Sequence, residues 1–185
     1  MYGKQPIILP SDARGKRFRV SSSLNARLFA ESIGADVFPL GYGEIVSSLQ
    51  TGLVEAGENS ISLYARTGIA SEAPHFTLTR HSFGVSVIVS DLKWWQALPQ
   101  GDRDILVETF PSIDISRRSI RQQDLEDLAD PELGIVLHRL TPEQRDEWKR
   151  VTAGITAKLI ESIGGRSSEI YALIEKGKAE FAATR

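Results

Sequence analysis

Five short segments between Arg17 and Ala56 switch the hydrophobic period from two residues to about 3.6 and back, and this rhythm constrains the fold more than any other feature. Residues 17–20 (RFRV) alternate basic and apolar side chains, as a half-buried strand does. Ser21, Ser22 and Ser23 offer hydroxyl caps for a helix over 24–33. In that helix Leu24 and Leu28, and Phe29 and Ile33, lie four apart and form one apolar face. Gly34 stands where a left-handed cap belongs. Residues 35–40 form the next strand and 41–50 the next helix, with Ile45, Val46 and Leu49 as its inner stripe. Gly52 closes that helix in the same way, and 53–56 is the third strand. Strand, helix, strand, helix, strand with short connections is the pattern of parallel strands joined by crossover helices. Ligands of open sheets of this kind sit beyond the carboxyl ends of the strands. Ser21–Ser23, Gly41–Gly43 and the segment 57–60 fall at such ends, so "LQTGLVEAGENSIS" (49–62) delivers Glu58 and Asn59 to the expected crevice.

Further along, 60–70 reads as a helix, and 76–79 and 85–89 as β-prone runs rich in branched residues. Asp91 caps a short helix carrying Trp94 and Trp95, and Pro99 starts another. Residues 102–127 read as one long, polar helix interrupted at Pro111. A last strand is expected at 133–137. Thr141-Pro142-Glu143-Gln144 is a helix start with hydroxyl cap, early proline and a glutamine three residues on, and that helix is expected to run to Ile163. Ser167 or Ser168 opens a final helix to about residue 182. The stretch 4–14, with Pro6, Pro10, Ser11 and Asp12, reads as extended entry and turn.

Bulk properties narrow the function. With 185 residues and 41% hydrophobic content, the chain suffices for a core without staples. Twenty-two basic and 24 acidic residues leave a net charge of −2, which gives no basic footprint for nucleic acid or an anionic membrane. The chain has no cysteine, which excludes disulfides, thiolate nucleophiles and cysteine zinc sites. His75, His81 and His138 share no metal-ligand spacing, and Gly41-Tyr42-Gly43 lacks the third glycine or lysine of a phosphate loop. No serine sits in a nucleophile elbow. No catalytic residue, cofactor or metal is expected. No apolar run approaches the ~20 residues of a membrane span, and residues 1–14 hold no signal-peptide core. A chain starting at Met1 would therefore stay where it is made.

Three residues stand out, each with two readings. Arg19, flanked by Phe18 and Val20, shares a strand face with Arg17; both are solvated cations at a strand end, or Arg19 presents a guanidinium fork to a carboxylate. Tyr42 is a packing aromatic or the wall of a site for an apolar ligand body. Asn59 caps the helix near Ser60 or offers its amide to a ligand oxygen. Glu58 pairs with a basic residue, and Trp94 and Trp95 anchor packing.

"GKRFRV", then "ESIGADVFPLGYGEIVSSLQTGLVEAGENSIS" and "FTLTRHSFGVSVIVSDLKWWQALPQGDRDILVE", resemble the solute-binding proteins of TRAP transporters, the tripartite ATP-independent periplasmic carriers. The similarity runs in order from about Pro6 to Glu108 and weakens in the C-terminal helices. It implies an α/β, periplasmic binding protein-like (type II) lobe with a mainly parallel sheet and long C-terminal helices, the first lobe being incomplete. It implies that Arg19 bridges the ligand carboxylate, that Tyr42 packs on the ligand and that Asn59 hydrogen-bonds it, with Ser22 and His81 lining the cleft. It implies a small organic acid as ligand, TRAP membrane permease subunits as partners, and a periplasmic location. Ser60 and Arg80 replace the family's usual proline and asparagine. By resemblance, 1–84 is the second lobe, 85–123 the segment that returns to the first lobe, and 124–185 helices packing on the second. The run Val85, Ser86, Val87, Ile88, Val89 then lacks neighbouring strands, and a homodimer or complementation by a first lobe is expected through that edge.

Overall fold

The computed structural model describes residues 1–84, 87–110 and 112–184. Six strands form one sheet in the order β3-β2-β4-β1-β5-β6. They are β1 (Tyr2–Gly3), β2 (Arg17–Val20), β3 (Asp36–Pro39), β4 (Ala56–Gly57), β5 (His75–Thr77) and β6 (Val136–His138). β2 pairs parallel with β3 and β4, and β5 parallel with β6. β1 lies antiparallel between β4 and β5, with Tyr2 opposite Gly57 and Phe76. Five strands therefore point one way and β1 alone is reversed. Its first residue arrives at the edge where the other five strands end.

The crossovers explain the order. From β2 the chain passes through α1 (Leu24–Ser32) to β3 on one side. From β3 it passes through α2 (Ile45–Gln50) to β4 on the other side of β2. Strand order thus reverses around β2, which makes its carboxyl end a topological switch point, where open α/β sheets bind ligands. Gly34 and Gly52 end the two helices at φ +72° and +73°, the left-handed conformation expected of them.

Each face of the sheet carries its own core. Phe18 and Val20 point to one face and pack with Phe29, Ile33 and Trp148. Tyr2, Ile45, Leu49, Tyr64 and Phe76 fill the other. In chain order α3 (Ile61–Arg66) and α4 (Ile69–Glu72) follow β4, and α5 (Leu92–Ala97), α6 (Gln100–Thr109) and α7 (Ile113–Ala129) follow β5. Behind β6 come α8 (Pro142–Thr152), α9 (Ile155–Ile163) and α10 (Ser167–Ala183). Thr141 and Gln144 form the expected capping box, and Asp91 Oδ1 accepts from the Trp94 amide at 2.9 Å. The Arg66 guanidinium grips Asp127 with two bonds of 3.1 and 2.9 Å, tying α7 to α3.

Several expectations are corrected. The third strand is confined to Ala56–Gly57: the Val54 amide turns back to the Ser48 carbonyl, and the Glu55 amide, bonded to the Arg17 carbonyl of β2, leads into the pairing. The helix expected at 60–70 breaks into α3 and α4 at Gly68, which adopts φ +79°. The helix expected at 142–163 breaks into α8 and α9 at Gly154. Residues 42–44 form a 3-10 turn before α2, and Pro10–Ala13 form another. Ser23 occupies the cap position of α1 without capping it, since its hydroxyl bonds to that of Ser21 at 2.7 Å. The polar stretch 102–127 is divided between α6 and α7; Pro111 lies outside the described residues, as do Val85 and Ser86 of the expected 85–89 strand. Val87, Ile88 and Val89 are in no strand and are 77, 74 and 83% exposed. β-branching favours a strand only where a neighbouring strand offers pairing.

Candidate functional site

The site grows out of the alternation in β2. Phe18 and Val20 occupy the α1 face, so Arg19 is driven to the opposite face. There it is 95% buried, with 5% of its surface exposed. Its Nε and Nη2 donate to the carbonyl of Leu40 at 3.2 and 3.0 Å. That fixes one edge of the guanidinium and leaves its Nη1–Nη2 edge able to take a planar anion with two parallel bonds. Among the described residues Arg19 forms no ion pair. Arg17, by contrast, is engaged at the start of the strand, with Glu55 at 3.2 Å and the carbonyl of Gly52 at 3.1 Å.

Tyr2 completes this arrangement. Its ring stacks on Tyr64 with centroids 5.8 Å apart. Its hydroxyl is buried and, among the described residues, has no hydrogen-bond partner. It presses so closely on Gly57 that no side chain fits there. Burial raises the phenol pKa; Arg19 pulls it down, while Glu58 and Tyr42 push it up. Tyr2 is therefore within electrostatic reach of all three. This residue escaped the sequence reading because a two-residue strand carries no periodicity; its placement follows from antiparallel pairing with two distant segments.

Asn59 stands two residues beyond Gly57, the parallel partner of Arg19. Its Oδ1 accepts from the Ser60 amide at 3.1 Å, while its Nδ2 is buried and unpartnered among the described residues. Ser60, not Asn59, holds the cap position of α3. Tyr42 follows Leu40, the Arg19 acceptor, by two residues and is 44% exposed, so it is not packed into the core. Ser22 is exposed beyond the end of β2. His81 lies on the other face of the sheet. Its ring lies flat on Phe29, with centroids 3.9 Å apart, and its Nδ1 pairs with Thr79 Oγ1 at 2.6 Å. The residue keeps an exposed rim, but desolvation of the ring, aided by the Met1 amino group, holds its pKa well below the usual histidine range. The structure thus gathers Arg19, Tyr42, Asn59 and Tyr2 at one edge and puts His81 elsewhere.

This edge offers a buried cationic fork and two buried, unpartnered polar atoms. Buried polar groups are nearly always bonded, so both atoms have unused donor capacity within this edge. Among the described residues no group of three or more His, Asp or Glu could hold a metal ion, and no helix is long and apolar enough to cross a membrane.

The family described as bacterial extracellular solute-binding protein, family 7, matches residues 1–162. The C4-dicarboxylate-binding periplasmic protein DctP of Vibrio cholerae is 30% identical over 162 residues, covering 86% of this chain and 49% of that protein. The periplasmic ectoine-binding protein of the TeaABC TRAP transporter of Halomonas elongata superposes with a TM-score of 0.82 at 24% identity, over 98% of this chain and 59% of that one. A TRAP periplasmic solute-binding protein from Shewanella oneidensis with bound succinate superposes with a TM-score of 0.73 at 26% identity, over 91% and 56%. The chain spans about half the length of the curated relatives it matches.

Proposed function

The chain belongs to the bacterial extracellular solute-binding proteins of family 7, a family of transport proteins and not a class of enzymes, and from that premise we propose that it reads the carboxylate of a small organic acid. The observation that supports this reading is the buried Arg19 guanidinium, fixed by Leu40 and without an acidic partner among the described residues. A carboxylate meets the free edge of the fork. The Asn59 amide and the Tyr2 hydroxyl donate to its oxygens, and Tyr42 covers the ligand body. Ser22 and His81 are peripheral in this arrangement. Binding, closure and delivery to a TRAP membrane permease in the periplasm make up the function, without bond chemistry.

The lobe division goes with this reading. In this proposal residues 1–84 are the second, ligand-reading lobe, 85–123 the segment that returns to the first lobe, and 124–185 the stretch whose helices pack on the second. Val87, Ile88, Val89, Trp94, Ile105 and Ile113 are all more than half exposed. A polypeptide corresponding to the half of the relatives that this chain does not span is the occupant this apolar surface fits. Size exclusion of the chain mixed with such a lobe should show a complex. Self-association alone would identify a homodimer edge instead.

Calorimetric titration of C4 and sugar acids against wild type and Arg19→Ala tests the site. A charge-assisted hydrogen bond contributes about 1.5–3 kcal/mol, so the variant should bind roughly ten- to a hundredfold more weakly. Equal affinities would remove Arg19 from the site.

A further inference from the structure

On the face of the sheet opposite Arg19, a groove of about 480 Å³ runs between α1, α8, α9 and the segment after β5. That volume is within the range of small-molecule sites. Its floor is apolar. Phe29 and Trp148, 13° apart with centroids at 6.0 Å, are buried at its base, the first beneath His81, and the half-buried Ile155 and Leu159 supply its accessible apolar surface. Phe83, 87% exposed, stands at its wall.

The rim is charged. Arg80, Arg145 and Lys149 face Glu58 as the one carboxylate among the lining residues. Lys149 is held by Asp146 at 2.8 Å, whereas Arg80 and Arg145 form no ion pair among the described residues. Arg80 adopts φ +50° and is the sole non-glycine residue with positive φ among those described. A bulky residue in the left-handed region carries strain, and such strain concentrates at ligand sites. His81, neutral and bonded to Thr79, adds surface and no charge.

We infer that this groove is a second binding site, for a small organic anion with a ring-bearing apolar body, whose charged group lies against Arg80 and Arg145. The site is distinct from the proposed acid-reading edge: Arg19, Tyr42 and Asn59 do not line it and it opens on the other core, while Glu58, beside Asn59, stands between the two. An aromatic acid fits this lining better than a short aliphatic one, because Phe83, Ile155 and Leu159 supply apolar contact and Arg80 and Arg145 supply orientation.

The test uses the whole chain labelled with nitrogen-15 and two probes, 1-naphthoate and its neutral counterpart 1-naphthalenemethanol. The Trp148 indole N–H, held by the carbonyl of Ile8 at 2.8 Å, is a fixed reporter on the floor. 1-Naphthoate is expected to shift that signal and the amides of Arg80, His81 and Thr152, with Kd on the order of 1 mM. The alcohol should bind several times more weakly. Arg145→Gln and Arg80→Asn should each weaken the acid about threefold, as exposed charge pairs do. Asparagine tolerates positive φ, so the second variant keeps the fold. Arg19→Ala should leave naphthoate binding unchanged while altering the aliphatic acid titration, which separates the two sites. Equal binding of acid and alcohol would overturn the proposal. So would no shift at Trp148, insensitivity to both arginine variants, or loss of naphthoate binding in Arg19→Ala.

Discussion

Replacing Tyr2 by phenylalanine should stabilise the protein and weaken its hold on an acid at the same time. The ring is buried and stacks on Tyr64, and phenylalanine keeps that packing. What is lost is one hydroxyl, buried and unpartnered among the described residues. A buried polar group left without a partner costs about 1–3 kcal/mol. Its removal should therefore raise stability by about 1–2 kcal/mol, and in a chain of this size each kcal/mol moves Tm by roughly 2–4 °C. Urea unfolding followed by circular dichroism measures the change; an unchanged m-value locates the effect in the native state. Calorimetry with the same acids should then show roughly ten- to a hundredfold weaker binding, the contribution of one hydrogen bond to a charged group. A stabilised variant that binds more weakly describes a group held in reserve for a ligand. If Tyr2→Phe instead loses 1 kcal/mol or more of stability, the hydroxyl is bonded in the folded protein and the reasoning fails.

Gly57→Ala should destabilise by about 1–3 kcal/mol, because the new methyl group collides with the Tyr2 ring and hydroxyl; the urea midpoint checks it, and a Tyr2→Ala background should relieve much of the loss. Asp127→Asn should loosen α7 from α3, seen as faster amide exchange in α7. The Arg66 hydrogen bond holds the Asp127 carboxyl below its ordinary 3.8, so this contribution is present above that value and lost as pH falls through the lowered one. Unfolding curves against pH should show the loss in wild type and not in the asparagine variant. Thr141→Ala removes the capping box of α8 and should cost about 1 kcal/mol, with the first turn of α8 exchanging fastest.

The parallel half of the sheet was legible because each of its signals is local. Gly34 and Gly52 adopt the left-handed angles that their positions after apolar stripes require. Arg19 was legible for the same reason, since two core neighbours in a strand leave it one face. The rest depended on distant partners. β1 exists because Gly3 and Tyr2 meet Ala56 and Gly57 on one side and His75 and Phe76 on the other. The run at Val87–Val89 shows the converse: strong intrinsic preference and, among the described residues, no strand. The proposed second groove shows it again, since it joins residues 25–29, 58, 79–83 and 145–159, and none of these stretches announces the others.

The reversed strand also fixes how the proposed acid-reading edge is composed. Were every strand parallel, that edge would hold only carboxyl ends and the loops after them. β1 brings an amino end there instead, and with it an aromatic hydroxyl anchored by Tyr64 in the core. Because side chains alternate along a strand, a slip of one residue in β1 would send Tyr2 to the opposite face and put Gly3 beneath Gly57. The stacking on Tyr64 and the close fit against Gly57 both oppose that slip. The contacts that hold the register are thus the ones that aim the hydroxyl, so packing and the proposed recognition depend on the same few atoms.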